Sequence, residues 1–189
     1  MNEDIYVALR EAVFAAGYRH EYDWAQNVKP PSSPEALFME YAWVVVNSGM
    51  KNQIAHIIMD RITNAILQGK KVREVFGNRL KAEAIQQAYD LRAERFDAFN
   101  RLSRDDFRFA WFTSLPFIGP VTKYHLAKNC GIDVAKPDRW LERVAAESGE
   151  EVQELCERLA RESGDRVATV DLIIWRACNL HIYEPEVAA

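Results

Sequence analysis

The sequence lacks any run of eighteen apolar residues, which is about the shortest length that a membrane-spanning helix uses. Its opening stretch, MNEDIYVALREAVFAAGYRH, also lacks the basic region of a secretory signal and carries acids in its place. We therefore expect no membrane contact and a cytoplasmic protein.

Cysteine is scarce: Cys130, Cys156 and Cys178 lie far apart and have no CxxC spacing. This spacing excludes a disulfide framework and a cysteine-rich metal or iron–sulfur site, and it predicts three buried thiols. His56 and His125 read as ordinary helix residues, because no grouping of histidine, cysteine and carboxylate has the spacing of a metal site. No cofactor is therefore expected to be required.

The alternating pattern of a strand pair is also missing, as are internal repeats and low-complexity tracts. Helical periodicity runs through nearly every segment and predicts an all-α fold of about ten helices. A loop is predicted over 17–34, because three prolines interrupt any continuous helix there. The predicted helices cover 3–16, 35–46, 52–68, 71–76, 78–89, 90–101, a segment beginning at Asp105, 120–129, 138–147, 150–163 and 166–180.

The net charge of −4 conceals an asymmetry along the chain. Between Lys51 and Arg143 there are 17 lysines and arginines against 11 acids, whereas the two ends together hold 7 against 17. A basic middle suits a surface that meets phosphates, although solvated helix faces produce the same imbalance.

Residues 114–129, SLPFIGPVTKYHLAKN, read as helix, tight turn, helix. Gly119 has few steric limits, and Pro120 suits the first turn of the second helix. The backbone N–H groups near 119–123 are expected to lack intrahelical partners. Such a turn can hold a DNA phosphate without any lysine.

The segment LPFIGPVT resembles the LPGIGPxT hairpin of the helix-hairpin-helix/Gly-Pro-Asp superfamily of DNA glycosylases, with Phe117 where that family usually has glycine. Nineteen residues after Gly119, Asp138 lies in DVAKPDRWLERVA, which resembles the family segment whose aspartate, at the start of a helix, is catalytic. With the apolar helix 35–46, the loop NSGMKNQ and the terminal VDLIIWRACNL, the likeness extends over about 35–180.

The resemblance implies an all-α, two-lobed helical bundle with an interlobe cleft and a helix-hairpin-helix motif at about 107–129. Residues 35–130 would form a central lobe. Residues 1–34 and 131–189 would form the second lobe, with the catalytic loop at 131–138. Double-stranded DNA is the implied partner, which implies association with the nucleoid if the source is bacterial, and a monomer is expected.

Removing a base from deoxyribose develops positive charge on the sugar, which one carboxylate can stabilise while it activates water. The resemblance assigns this role to Asp138, which is also a good helix N-cap, and the two roles are compatible. Lys136 precedes it in the same loop and is a possible auxiliary. The family's Schiff-base lysine position is occupied by Val121, so a glycosylase without lyase activity is implied. The family's cysteine cluster is missing, so no iron–sulfur cofactor is implied.

We expect three sets of DNA-contacting residues, two from the resemblance and the third because a base that leaves the stack needs a pocket. The hairpin set binds the DNA backbone and comprises Pro116, Phe117, Ile118, Gly119, Val121, Thr122 and Lys123. Lys123 would meet either phosphate or solvent. The family hairpin also permits a sodium or potassium ion on the carbonyls of 115–120.

The second set is the loop that would fill the gap left by a flipped base: Asn47, Met50, Lys51 and Asn52. A helix end at Gly49 followed by a cap at Asn52 explains the same residues. The third set is a base pocket at Tyr22, Asp23 and Trp24, whose aromatic rings could equally pack the loop onto the core.

The function implied is hydrolysis of the N-glycosidic bond of a damaged or modified DNA base, leaving an abasic site. One alternative is a glycosylase of hypermodified bacteriophage bases, in phage modification or anti-phage defence. Another is a non-catalytic helix-hairpin-helix module that binds DNA.

Overall fold

The computed structural model describes residues 1–102 and 104–185, and within these ranges it contains eleven α-helices, one short 3-10 helix and no strand. This confirms the all-α prediction. No helix in these ranges is both long and apolar enough to cross a membrane. The elements are α1 (Glu3–Ala15), α2 (Arg19–Asn27), α3 (Pro34–Asn47), α4 (Asn52–Leu67), the 3-10 helix Val72–Glu74, α5 (Arg79–Asp90), α6 (Arg92–Arg101), α7 (Asp105–Phe112), α8 (Thr122–Asn129), α9 (Arg139–Ala146), α10 (Val152–Ser163) and α11 (Val167–Asn179).

The chain divides into two compact units. The terminal unit comprises Met1–Lys29 and Gly131–Ala189, and the central unit comprises Pro30–Cys130. The first boundary therefore falls after residue 29, whereas the boundary predicted from the sequence lies after residue 34.

The central unit is built around α3, which contacts α4, α5, α6 and α8. Ser33 begins this helix by accepting a 3.1 Å hydrogen bond from the N–H of Ala36, and Pro34 occupies the first helical position. Because the helix is apolar on nearly all sides, it is stable only inside a core. Its buried residues are Leu37, Phe38, Tyr41, Ala42, Val44, Val45 and Val46.

The terminal unit is built in the same way around α11, which contacts α1, α2, α9 and α10. This helix carries the apolar segment VDLIIWRAC, and most of its residues are buried. The core it joins includes Tyr6, Leu9 and Val13 from α1, Leu141 and Val144 from α9, and Leu155 and Leu159 from α10.

The prediction of a loop over 17–34 is wrong for its first half, which forms α2. This helix has no side-chain N-cap and only one fully buried residue, Ala25, so its local signal is weak. Contacts with α11 hold it instead, including a two-point ion pair between Glu21 and Arg176. Helices of this length form mainly through such tertiary packing.

Candidate active site and nucleic-acid interface

Asp138 lies at the start of α9 as its N-cap. Its Oδ1 accepts hydrogen bonds from the backbone N–H groups of Trp140, at 3.1 Å, and Leu141, at 3.4 Å. Its Oδ2 lies 3.4 Å from Nζ of Lys136. The side chain of Asp138 is 16% exposed and that of Lys136 is 24% exposed. One oxygen thus fixes the carboxylate on the helix, and the other faces a cation at a position that solvent still reaches.

The loop before Asp138 is held by side chains from α10 and α11. The N–H of Ala135 donates to Gln153 at 2.9 Å, and the N–H of Lys136 donates to the carboxylate of Asp171. Asp171 is buried in the middle of α11. Neither Gln153 nor Asp171 is predicted as a site residue from the sequence, although an aspartate within the apolar run VDLIIW is a signal for a buried polar contact.

Cys178 lies near Asp138 but is not a nucleophile in this arrangement. Burial raises the pKa of its thiol to about 11, and the negative charges of Asp138 and Glu147 act in the same direction. The thiolate is the reactive form of cysteine, so this side chain stays inert at neutral pH. Asp138, in contrast, is a partly exposed carboxylate whose second oxygen faces Lys136.

The hairpin between α7 and α8 begins with a tight turn over residues 115–118. The N–H of Ile118 donates to the carbonyl of Leu115 at 3.1 Å, Pro116 follows Leu115, and Phe117 has φ of 64°. Proline at the second position and a positive φ at the third are the pattern of a type II turn, which favours glycine at the third. A non-glycine residue in this left-handed region costs about 1–2 kcal/mol.

Gly119 differs from its predicted role, because it is not among the residues with positive φ. Its N–H donates to Oγ1 of Thr122 at 2.7 Å, and its carbonyl accepts from the N–H of Lys123 at 3.0 Å. Of the N–H groups expected to be free, those of Gly119 and Lys123 are thus satisfied within the hairpin. In the part of the chain that the structure describes, the N–H groups of Val121 and Thr122 have no acceptor.

Apolar side chains both anchor the hairpin and cover its tip. Leu115 and Ile118 are buried, whereas Phe117 is 43% and Val121 is 40% exposed. From α3, the hydroxyl of Tyr41 donates to the carbonyl of Pro116 at 2.9 Å, which fixes the turn to the core of the central unit.

Lys123 lies against aromatic rings of the hairpin helices. Its Nζ is 4.8 Å from the ring centroid of Phe109 and 5.2 Å from that of Tyr124. Cation–π attraction of this kind holds the ammonium near the hairpin surface while leaving it partly exposed.

The carbonyls of 115–120 are the groups that the resemblance offers to a monovalent cation. Those of Leu115, Pro116 and Gly119 accept hydrogen bonds from within the protein. Among the residues that the structure describes, no group of three or more His, Cys, Asp and Glu side chains could hold a metal ion.

The predicted gap-filling residues span the junction between α3 and α4. Asn47 is the last residue of α3. Met50 follows Gly49, which has φ of 75°. Lys51 and Asn52 are exposed and lie at the start of α4. Asn52 is thus the first helical residue, and the N-cap is Lys51.

Lys81, on α5, fixes the entry to this junction. Its Nζ donates to the carbonyls of Val45 and Ser48, each at 2.7 Å. These are carbonyls at the end of α3, where a cation is favoured by the helix dipole. Burial lowers the pKa of Lys81. Lys81 is not predicted as a site residue, because nothing in the local sequence links it to the end of α3.

The three predicted pocket residues lie on α2 and point in different directions. The hydroxyl of Tyr22 donates to Oδ1 of Asp165 at 2.6 Å, whereas Asp23 and Trp24 are exposed, Trp24 to 48%. Asp165 is buried and accepts hydrogen bonds from four side chains. They are Tyr6 at 2.7 Å, Arg10 at 2.9 Å, Tyr22 at 2.6 Å and Gln26 at 2.8 Å. The structure therefore gives Tyr22 a structural contact and does not group it with the other two.

Two solved structures of the 8-oxoguanine DNA glycosylase of Methanocaldococcus jannaschii resemble this chain. The glycosylase/lyase in complex with a 15-mer DNA containing 8-oxoguanine has a TM-score of 0.70 at 17% identity, covering 95% of this chain and 100% of that one. The second, described as the 8-oxoguanine DNA glycosylase, has a TM-score of 0.67 at 16% identity, covering 98% and 100%. No protein-family model and no curated protein sequence matches. The chain therefore shares the helical fold of these archaeal DNA glycosylases.

Proposed function

We propose that the protein is a DNA glycosylase that hydrolyses the N-glycosidic bond of a damaged or modified base flipped from double-stranded DNA. The observation that carries the proposal is the Asp138 carboxylate, fixed at the start of α9 with its second oxygen beside Lys136, in a chain with the fold of DNA glycosylases. The product would be an abasic site and the free base.

The reaction develops positive charge on the deoxyribose as the bond from C1′ to the base breaks and the base takes the bonding electrons. The Asp138 carboxylate would stabilise this charge and accept a proton from the water that attacks C1′. Oδ1 already accepts two backbone hydrogen bonds, so Oδ2 is the oxygen that would stabilise the charge and accept the proton. Lys136 would orient Oδ2 as a positioning residue.

DNA would be held through the hairpin of the central unit. The N–H groups of Val121 and Thr122 lack acceptors in the described structure and lie at the start of α8, where backbone N–H groups suit a phosphate. A flipped base also leaves a gap in the duplex, which the α3–α4 junction with Met50 would fill.

The enzyme is proposed to leave the DNA strand intact. Val121 occupies the position that would hold the Schiff-base lysine in the family the chain resembles, and valine cannot form an imine. One structural neighbour is named a glycosylase/lyase, so this proposal needs a direct test. Borohydride trapping on abasic DNA should give no covalent complex. A complex that disappears in Lys136→Met would overturn the proposal and assign the imine to Lys136.

The central experiment measures abasic-site formation on duplexes that carry 8-oxoguanine, other damaged bases or hypermodified phage-type bases. Wild type should release at least one of these bases, and Asp138→Asn should be slower by at least about 100-fold while still binding DNA. Release only from phage-type bases would assign the enzyme to phage modification or anti-phage defence. If the wild type binds DNA but releases none of these bases, the protein is a non-catalytic DNA-binding module.

Salt dependence tests the DNA-binding part separately. Phosphate contacts release counterions, so the affinity for duplex DNA should fall steeply as salt rises. An affinity that does not change with salt would show that the basic middle of the chain is only solvated surface.

A further inference from the structure

Phe117 combines two unfavourable features at one position. Its backbone is left-handed, with φ of 64°, at the third position of a turn that favours glycine. The residue is also 43% exposed. A glycine at this position would remove the backbone strain and the exposed apolar surface together.

Other residues anchor the hairpin turn. Leu115 and Ile118, on either side of the turn, are buried and anchor the hairpin, and Tyr41 fixes the carbonyl of Pro116. The turn is therefore positioned without the Phe117 ring. Backbone strain that the rest of the fold does not require is found most often at functional sites.

The surroundings of Phe117 indicate what its ring would contact. Within five positions along the chain lie the unpaired N–H groups of Val121 and Thr122, which suit a phosphate, and the 40% exposed side chain of Val121. A nucleotide bound by its phosphate at these N–H groups brings an apolar deoxyribose face and an aromatic base to the same surface. Aromatic side chains bind both groups without sequence preference.

We propose that the side chain of Phe117 is an aromatic DNA contact, packing against the sugar and base of the nucleotide whose phosphate the hairpin binds. This inference rests on the proposed function, because it requires DNA at the hairpin. It goes beyond phosphate binding by backbone N–H groups, because the ring adds an uncharged contact that a glycine at this position cannot make.

The experiment compares wild type with Phe117→Gly and Phe117→Trp in binding a fluorescent duplex that carries a tetrahydrofuran abasic-site analogue. Phe117→Gly should melt at or above the wild-type temperature, because the turn favours glycine, and should bind about 10-fold more weakly. The slope of log Kd against log salt should stay unchanged, because no charge is removed. Phe117→Trp should bind within about 2-fold of wild type.

Leu67→Ala is the matched control, because it removes another exposed apolar side chain of the central unit, and it should leave the affinity unchanged. Equal affinity of wild type and Phe117→Gly overturns the inference, as does a loss of affinity that accompanies a lower melting temperature. If the wild type binds this duplex but releases no base, the proposed enzyme function fails and the Phe117 contact is still decided by the same comparison. If the wild type does not bind the duplex, both proposals fail.

Discussion

Nζ of Lys136 lies 3.4 Å from Oδ2 of Asp138, while Oδ1 of the same carboxylate caps α9. The two oxygens therefore have separate partners. This separation allows the structural and chemical roles of Asp138 to be tested independently.

Asp138→Asn and Asp138→Ala should differ in stability and agree in activity. Asparagine still caps a helix through its side-chain oxygen, so its free energy of unfolding should stay close to that of wild type, whereas alanine should lose about 1 kcal/mol. Both lack the carboxylate and should lose base release. Urea unfolding and an abasic-site assay measure the two effects. An alanine variant that releases the base at the wild-type rate would remove Asp138 from the mechanism.

Lys136→Met should slow base release without abolishing it, because the carboxylate and its cap remain. Lys136→Arg keeps the positive charge beside Oδ2 and should recover most of the rate. Recovery of the rate by arginine but not by methionine distinguishes a positioning role from a loss of side-chain packing, since only arginine restores the cation beside Oδ2. A rate of base release in Lys136→Met equal to that of wild type would contradict this role.

Lys81→Met should destabilise the protein by about 1–3 kcal/mol, because two carbonyls at the end of α3 lose their donor. Lys70→Met is the control, because Lys70 is an exposed lysine of the same unit and should change little. Thermal unfolding gives the comparison. Equal melting temperatures for the two variants would show that water replaces the ammonium of Lys81 at no cost.

Tyr22 and Trp24 should behave differently when they are changed. Tyr22→Phe removes a hydrogen bond to the buried Asp165 and should cost about 1.5–3 kcal/mol of stability while leaving base release intact below the melting temperature. Trp24→Ala should slow base release and leave the melting temperature nearly unchanged, because the ring is half exposed. A rate in Trp24→Ala equal to that of wild type would exclude Trp24 from the base pocket.

Glu150 gives a pH-dependent contribution to stability. The two hydrogen bonds from Arg158, with help from the hydroxyl of Ser148, lower the pKa of Glu150 to about 2. The folded state thus holds this carboxylate ionised, so its contribution is present above the unfolded pKa of about 4.5 and is lost as the pH falls toward about 2. The stability difference between wild type and Glu150→Gln should shrink between about pH 6 and about pH 2.5 in urea unfolding. A constant difference would contradict the assignment.

Most of the helices could be predicted from the sequence because their signals are local. The apolar run of 35–46, the Ser33–Pro34 start of α3 and the acid pair in the first turn of α7 each act within one or two turns of helix. The N-cap at Asp138 belongs to the same class. The exception is α2, which has weak local signals and depends on contacts with α11.

In the hairpin turn, the glycine in the sequence does not mark the residue with the unusual backbone angle. The second glycine of the family motif, Gly119, is present, but the strained position is Phe117. A hydrogen bond between Gly119 and Thr122 shapes the second half of the hairpin. The sequence identified the turn, and the dihedral angles decided which residue in it is unusual.

The sequence by itself determined the helical architecture, the place of the hairpin and the position of Asp138 at a helix start, since each depends on neighbours a few residues away. Only the tertiary structure decided that Tyr22 contacts Asp165, that Lys81 holds the end of α3 and that Asp171 fixes the loop before Asp138. These partners are separated by 143, 36 and 35 positions in the chain. Contacts between such distant residues arise only when packed helices bring them together, and local sequence patterns contain no record of that packing.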